Sequence, residues 1–219
     1  MPHPNPERRF FDFDDFDLAR PRLESREEGK PPVIAGYGAV FYDGSGRTEY
    51  ELWKGAVERI LPGAFDRAVV EDDVVATFNH TANLVLGRKS AGTLRLSVDS
   101  RGLAYEVDPP ETGSARDVLA LLRRGDVRGS SIIMLVTDEV WRKENSVRVR
   151  EVRGVKLIDV GPATVPAYEG TSAGVRAAGD AEQARESLEA WEAGQRDKLA
   201  EAVAVRRRII DLTQGGPGT

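Results

Sequence analysis

Gly129-Ser130-Ser131-Ile132-Ile133-Met134-Leu135-Val136 decides how the chain is read: a hydroxyl doublet opens directly onto five consecutive apolar residues. A run entered through glycine, rich in isoleucine and ended near Thr137-Asp138-Glu139 predicts a buried strand rather than a helix. On periodicity alone the serines are polar boundary residues. A hydroxyl fixed there would also sit on rigid backbone beside a core, which a nucleophile requires. Adjacent strand residues face opposite sides, so only one of Ser130 and Ser131 can face a given cleft.

Upstream of this strand, Ser114 with Asp117 three residues on gives a capping-box-like start to a helix carrying Val118, Leu119, Leu121 and Leu122. Gly125 is its C-cap. Thr93–Val98 and Leu103–Val107 alternate with period two about Asp99-Ser100-Arg101-Gly102, which predicts a hairpin. Val74–Phe78 is β-rich and carries Asn79 and His80 at its exit. Arg8–Phe13, Val33–Phe41 and Glu49–Trp53 read as further strands, the second with glycines that suggest bending or close backbone approach. Phe65–Val70 is consistent with a short helix, and Arg20–Pro32 with an exposed connector.

Downstream, Val147, Val149 and Val152 predict a strand that turns at Arg153-Gly154. Val155, Leu157 and Asp159 share one face of the next strand, leaving an acid at the end of an apolar face. Pro162 and Pro166 lack amide donors, so Gly161–Ala167 is expected to be an edge segment leaving the domain, with Gly170–Gly179 as a linker. Ala181–Leu212 has helical composition and a discontinuous apolar stripe through Leu188, Trp191, Leu199, Ala202, Val203, Ile209 and Ile210, suited to a partner or to a removable tail. The whole pattern predicts an α+β fold, mainly an antiparallel β-barrel or sheet surrounded by a few helices, with a C-terminal helical extension.

Composition narrows the chemistry. The 219 residues suit one domain plus extensions, and 40% apolar content is enough for a core. Cysteine is absent, which excludes disulfides and thiol catalysis. His3 and His80 are the only histidines, and His3 lies in a proline-rich start, so imidazole chemistry falls on His80. No metal site is expected, since His-Glu-x-x-His is missing, and no cofactor is implied. The net charge of −5 comes from 31 basic and 36 acidic residues without a long single-sign block, which argues against a nucleic-acid partner. No apolar run approaches the roughly 18 residues of a membrane span, and the start lacks a signal-peptide core, so the chain is expected to stay inside the cell. The Gly-x-Ser-x-Gly elbow of α/β-hydrolase esterases does not match Gly129-Ser130-Ser131-Ile132-Ile133.

Gly36-Tyr37-Gly38-Ala39-Val40-Phe41, Leu61-Pro62-Gly63-Ala64-Phe65, Phe78-Asn79-His80, Leu86-Gly87, Gly129-Ser130-Ser131 and Asp159-Val160 through Val165-Pro166-Ala167 occur together in order. With these motifs the chain resembles the tailed-phage prohead maturation serine proteases, a family related in fold to the herpesvirus capsid-assembly protease, assemblin. The resemblance spans roughly residues 8–176, which implies a flexible lead-in over 1–7, a protease domain over 8–176, and a linker and helical tail over 177–219. It implies a serine endopeptidase that cleaves the scaffolding region of the major capsid protein, and itself, inside the assembling prohead in the bacterial cytoplasm, with possible self-association. Carried over residue by residue, it assigns the base to His80, the nucleophile to Ser131 rather than Ser130, and the acid to Asp159, where the family commonly has glutamate. Thr81 stands where the family commonly has aspartate, and Ile133-Met134 where it usually has Gly-Phe. Oxyanion donors stay open among backbone amides, Arg88, Arg123 and Arg128. The reading from another class is a non-catalytic capsid-assembly or scaffold-binding module.

Overall fold

The computed structural model describes residues 6–12, 20–25, 32–164 and 182–214. In chain order the elements are β1 (Glu7–Asp12), β2 (Arg22–Glu24), β3 (Val33–Val40), β4 (Tyr50–Trp53), β5 (Ala56–Ile60), α1 (Asp66–Glu71), β6 (Val75–Thr77), β7 (Val85–Arg88), β8 (Leu94–Val98), β9 (Gly102–Val107), α2 (Gly113–Arg124), β10 (Gly129–Glu144), β11 (Val147–Ala163) and α3 (Glu182–Gln214). Among the described residues the fold is α+β, mostly strands with three α-helices. The chain divides into two compact units, 1–181 and 182–219.

The strands form a seven-stranded sheet with the path β1-β10-β11-β5-β4, to which β6 and β7 attach through β11, and a four-stranded sheet ordered β2-β3-β9-β8. Among the described residues no barrel closes, which corrects the barrel expectation. The larger sheet instead curls. In a flat sheet β1 and β5 would lie about 14 Å apart, yet Arg9 on β1 donates from Nε and Nη2 to both carboxylate oxygens of Glu58 on β5, at 2.6 and 2.9 Å.

That contact belongs to a buried ion cluster. Glu7, Arg9, Glu58 and Arg150 are each 1% exposed or less, and Arg150 donates to Glu7 at 2.7 and 3.0 Å and to Glu58 at 3.0 Å. Glu139 completes the set against Arg150. Two guanidinium groups facing two buried carboxylates leave the core of the cluster neutral, the condition under which buried charge is tolerated. The cluster fixes the register of β1 on β10, where Phe10 pairs with Ser131 and Phe11 with Ser130.

The apolar core fills the space between the sheets. Ile132, Met134, Leu157 and Val160 of the large sheet meet Ile34, Leu103 and Tyr105 of the small one, and Val118, Leu119 and Leu122 of α2 join them. Each such aliphatic side chain contributes about 2 kcal/mol on burial. Gly38 shows how close the layers come: a Cβ there would lie 2.6 Å from Val160 Cγ2, which is the close approach expected of the glycines in β3.

The predicted β8–β9 hairpin forms, with Val98 opposite Leu103, and Gly125 ends α2 in the left-handed region with φ 80°. Other boundaries differ. Thr112, not Ser114, caps α2, its side chain accepting from the Ala115 amide. Strand β10 does not stop at Thr137-Asp138-Glu139, and β11 does not turn at Arg153-Gly154. Both run on, and the irregularities appear as bulges, with register shifts between Val136 and Asp138 and between Asp138 and Glu139. Gly161, Pro162 and Ala163 do not form a departing edge but pair with Ser131, Ser130 and Gly129 inside the sheet. The connector around residue 22 holds β2, which pairs with β3. In α3, Leu199 and Val203 of the expected stripe are exposed, while the side chains of Ile209 and Ile210 and the 170–179 linker lie outside the described residues, as do 1–5 of the expected lead-in. Among the described residues, no helix is long and apolar enough to cross a membrane.

Candidate active site

Ser130 and Ser131 open β10 at a point where it is flanked by β1 on one side and β11 on the other. Strand alternation separates them. Ser130 is fully buried and shares a 3.0 Å hydrogen bond with the hydroxyl of Tyr105 on β9. Burial pushes the Tyr105 hydroxyl's pKa up, with Ser130 opposing the shift. Ser131 faces the other way, into a cleft of about 280 Å³ lined by Arg8, Phe10, Asn79, His80, Ser131 and Thr164 among others. Its Oγ donates to the Arg9 carbonyl on β1 at 2.8 Å.

His80 reaches the same cleft by an unusual backbone route. After β6 ends at Thr77, Asn79 and His80 both adopt φ 55°, a left-handed pair that non-glycine residues avoid and that accumulates at functional sites. Three hydrogen bonds hold the turn against the end of β11. The Asn79 amide donates to the Pro162 carbonyl at 3.2 Å, and Asn79 Oδ1 accepts from the Thr164 amide at 2.9 Å and the Thr164 hydroxyl at 3.2 Å. Because Asn is among the few residues at ease in this region, the sequence order Asn79-His80 carries part of the local geometry.

Asp159 sits on β11, opposite Ile133 on β10 and beside Val75 on β6. A register shift next to it leaves Ile158 unpaired, and bulges of this kind re-aim neighbouring side chains. Asp159 Oδ2 lies 3.2 Å from His80 Nδ1, with the imidazole 3% exposed. The same oxygen accepts a 2.7 Å hydrogen bond from the Thr77 hydroxyl. Neither ring nitrogen of His80 has a hydrogen bond of good geometry among the described residues, so Nε2 is unengaged.

The structure therefore brings His80 and Ser131 to one cleft and Asp159 against Nδ1 of the imidazole. Among the described residues, no group of three or more His, Cys, Asp or Glu side chains could hold a metal ion. Of the candidate oxyanion donors, Arg88 is engaged with Asp73 at 2.7 Å. Sequence reasoning missed three participants: Thr77, the Arg9 carbonyl, and Asn79 as the clamp on Thr164. Only Asn79 had a local signal, its position before the histidine at a strand exit.

A family described as the caudovirus prohead serine proteases matches residues 19–185. Among solved structures, the chain is similar to the bacteriophage T4 capsid assembly protease gp21, at 11% identity and a TM-score of 0.43, covering 73% of this chain and 98% of that one. No curated protein matches.

Proposed function

The chain belongs to the caudovirus prohead serine protease family, and on that premise we propose that it is a serine endopeptidase with Ser131 as nucleophile, His80 as base and Asp159 as the acid behind it. Its substrate is the scaffolding region of the major capsid protein, and it also cleaves itself, inside the assembling prohead. Residues 8–176 form the protease domain, related in fold to the herpesvirus assemblin, and 177–219 the linker and tail; no cofactor takes part.

One observation carries this reading: His80 and Ser131 line one cleft while Asp159 Oδ2 lies 3.2 Å behind His80 Nδ1. With its proton on Nδ1 facing Asp159, the imidazole leaves Nε2 as an acceptor. The Ser131 hydroxyl gives its proton to Nε2 as Oγ attacks the substrate carbonyl carbon. The imidazolium, stabilised by Asp159, then returns the proton to the departing amine, leaving an acyl-enzyme. Water, activated by the same nitrogen, releases the acyl group. In the resting chain the hydroxyl donates to Arg9 O instead, so it must swing from that carbonyl to the imidazole, a rearrangement common between free and substrate-bound enzymes.

The test is co-expression with the phage's own capsid protein. Wild type is expected to shorten the capsid chain, while Ser131→Ala and His80→Ala leave it full length. Normal cleavage by folded Ser131→Ala would overturn the assignment.

A further inference from the structure

We infer that Thr77 is a positioning residue for the Asp159 carboxylate, and that the close approach of β6 to β11 at Gly161 is what lets an aspartate do this work. The inference rests on the catalytic reading given above and extends it to a residue outside the triad.

The geometry begins with Thr77, which is 4% exposed and whose hydroxyl lies 2.7 Å from Asp159 Oδ2. It has one proton to donate, and the carboxylate is its acceptor. Because the bonded oxygen is the one that faces His80 Nδ1, Thr77 fixes the rotation of the carboxylate about its Cβ–Cγ bond and hence the direction in which Oδ2 points. A terminal carboxylate torsion is otherwise broad. The second carboxylate oxygen, Oδ1, is buried and has no hydrogen-bond partner among the described residues. Among the described residues, Thr77 is therefore the neutral donor that orients Asp159.

The backbone makes this possible. A Cβ at Gly161 would lie 2.1 Å from the Thr77 carbonyl oxygen, a distance that real side chains do not tolerate. Glycine at 161 thus lets the end of β6 close on β11. That closure brings both Thr77 and the Asn79-His80 turn within reach of Asp159. A carboxyl group one methylene shorter than glutamate needs the shorter separation, and Gly161 supplies it. The alternative, that Thr77 merely satisfies a buried hydroxyl, predicts that its loss changes stability without acting through Asp159.

The experiment measures the rate at which a fluorophosphonate probe labels the full chain, with rate and probe affinity separated, for Thr77→Val, Thr77→Ser, Asp159→Asn and Thr77→Val/Asp159→Asn. A hydrogen bond to a charged group is worth enough to change the rate about tenfold. Thr77→Val is expected to lower the maximal labelling rate by about that factor with probe affinity unchanged, and Thr77→Ser to restore it. In the Asp159→Asn background Thr77→Val should cost nothing further, because residues acting through one group are non-additive. Should Thr77→Val not fold, Thr77→Ala takes its place in the comparison. Unchanged labelling in the Val variant, or a full tenfold loss that persists in the Asp159→Asn background, would overturn the inference while leaving the triad intact. Unchanged labelling in Asp159→Asn itself would overturn the triad's acid and this inference with it.

Discussion

The hydroxyl of Ser131 donates its hydrogen bond to the main-chain carbonyl of Arg9, 122 residues away in sequence, at 2.8 Å. The contact links the candidate nucleophile to the buried ion cluster, because the side chain of the same Arg9 is held by Glu7 and Glu58. Alternation along β1 sends Arg9 into the cluster while Arg8 and Phe10 line the cleft. A change in the register of β1 would therefore move the resting acceptor of Ser131 and one wall of the cleft together.

Removing one member of the cluster should be costly. Arg150→Met leaves Glu7 and Glu58 short of a partner at positions without solvent, and an uncompensated buried charge costs about 3–5 kcal/mol. Urea unfolding is expected to show a correspondingly lower midpoint; a shift below about 1 kcal/mol would mean the cluster is wetter than the structure indicates.

Stability should fall on acidification. Burial alone would push the Glu58 carboxyl up, but the facing Arg9 and Arg150 outweigh it and hold its pKa below the ordinary 4.5. A carboxyl with a depressed folded-state pKa stabilises the fold fully above the unfolded value and loses that contribution as pH falls through the folded one. Urea midpoints measured between about pH 6 and pH 3 should thus hold steady and then drop below about pH 4.5, with a shallower drop in Glu58→Gln. Parallel curves would exclude Glu58 as a source of the slope.

Asn79→Ala and Asn79→Gly separate backbone from side chain at the histidine turn. Alanine at φ 55° carries strain of about 1–2 kcal/mol that glycine avoids, whereas both lose the bonds to Thr164. The melting temperature should be lower for alanine than for glycine, and fluorophosphonate labelling slower than wild type in both. Equal melting temperatures would show that the turn relaxes.

Ser130→Ala should leave labelling near the wild-type rate. It removes the partner of the buried Tyr105 hydroxyl, at a cost of about 1–2 kcal/mol. Thermal denaturation checks the cost, and a loss of labelling in a folded variant would move the nucleophile from Ser131.

Much of this was legible in the chain because the signals are local. The apolar run after Gly129 is a buried strand, the hairpin about Asp99–Gly102 forms where alternation places it, and His80 leaves a strand end as its flanking residues predict. Signals that were misread are those for which one residue serves two geometries. Gly154 suits a turn as well as a bulge, and the pairing of β10 with β11 selects the bulge. Pro162 argues against a central strand, yet its carbonyl remains usable and accepts from Asn79. The ion cluster left no trace in sequence, since Glu7 and Arg150 are 143 residues apart and no periodicity spans that distance. Thr77 was hidden for the same reason, 82 residues from Asp159. The barrel expectation rested on many short strands, and strand content does not say which hydrogen-bonded edges meet, which is where curl and closure differ.

The most direct test of the central claim is to treat the full chain with a fluorophosphonate and map the adduct by peptide mass spectrometry in wild type and His80→Ala. The account predicts an adduct on Ser131 in wild type that is lost when His80 is removed. An adduct on Ser130 or elsewhere, labelling of Ser131 that persists without His80, or no adduct on the folded protein would contradict it.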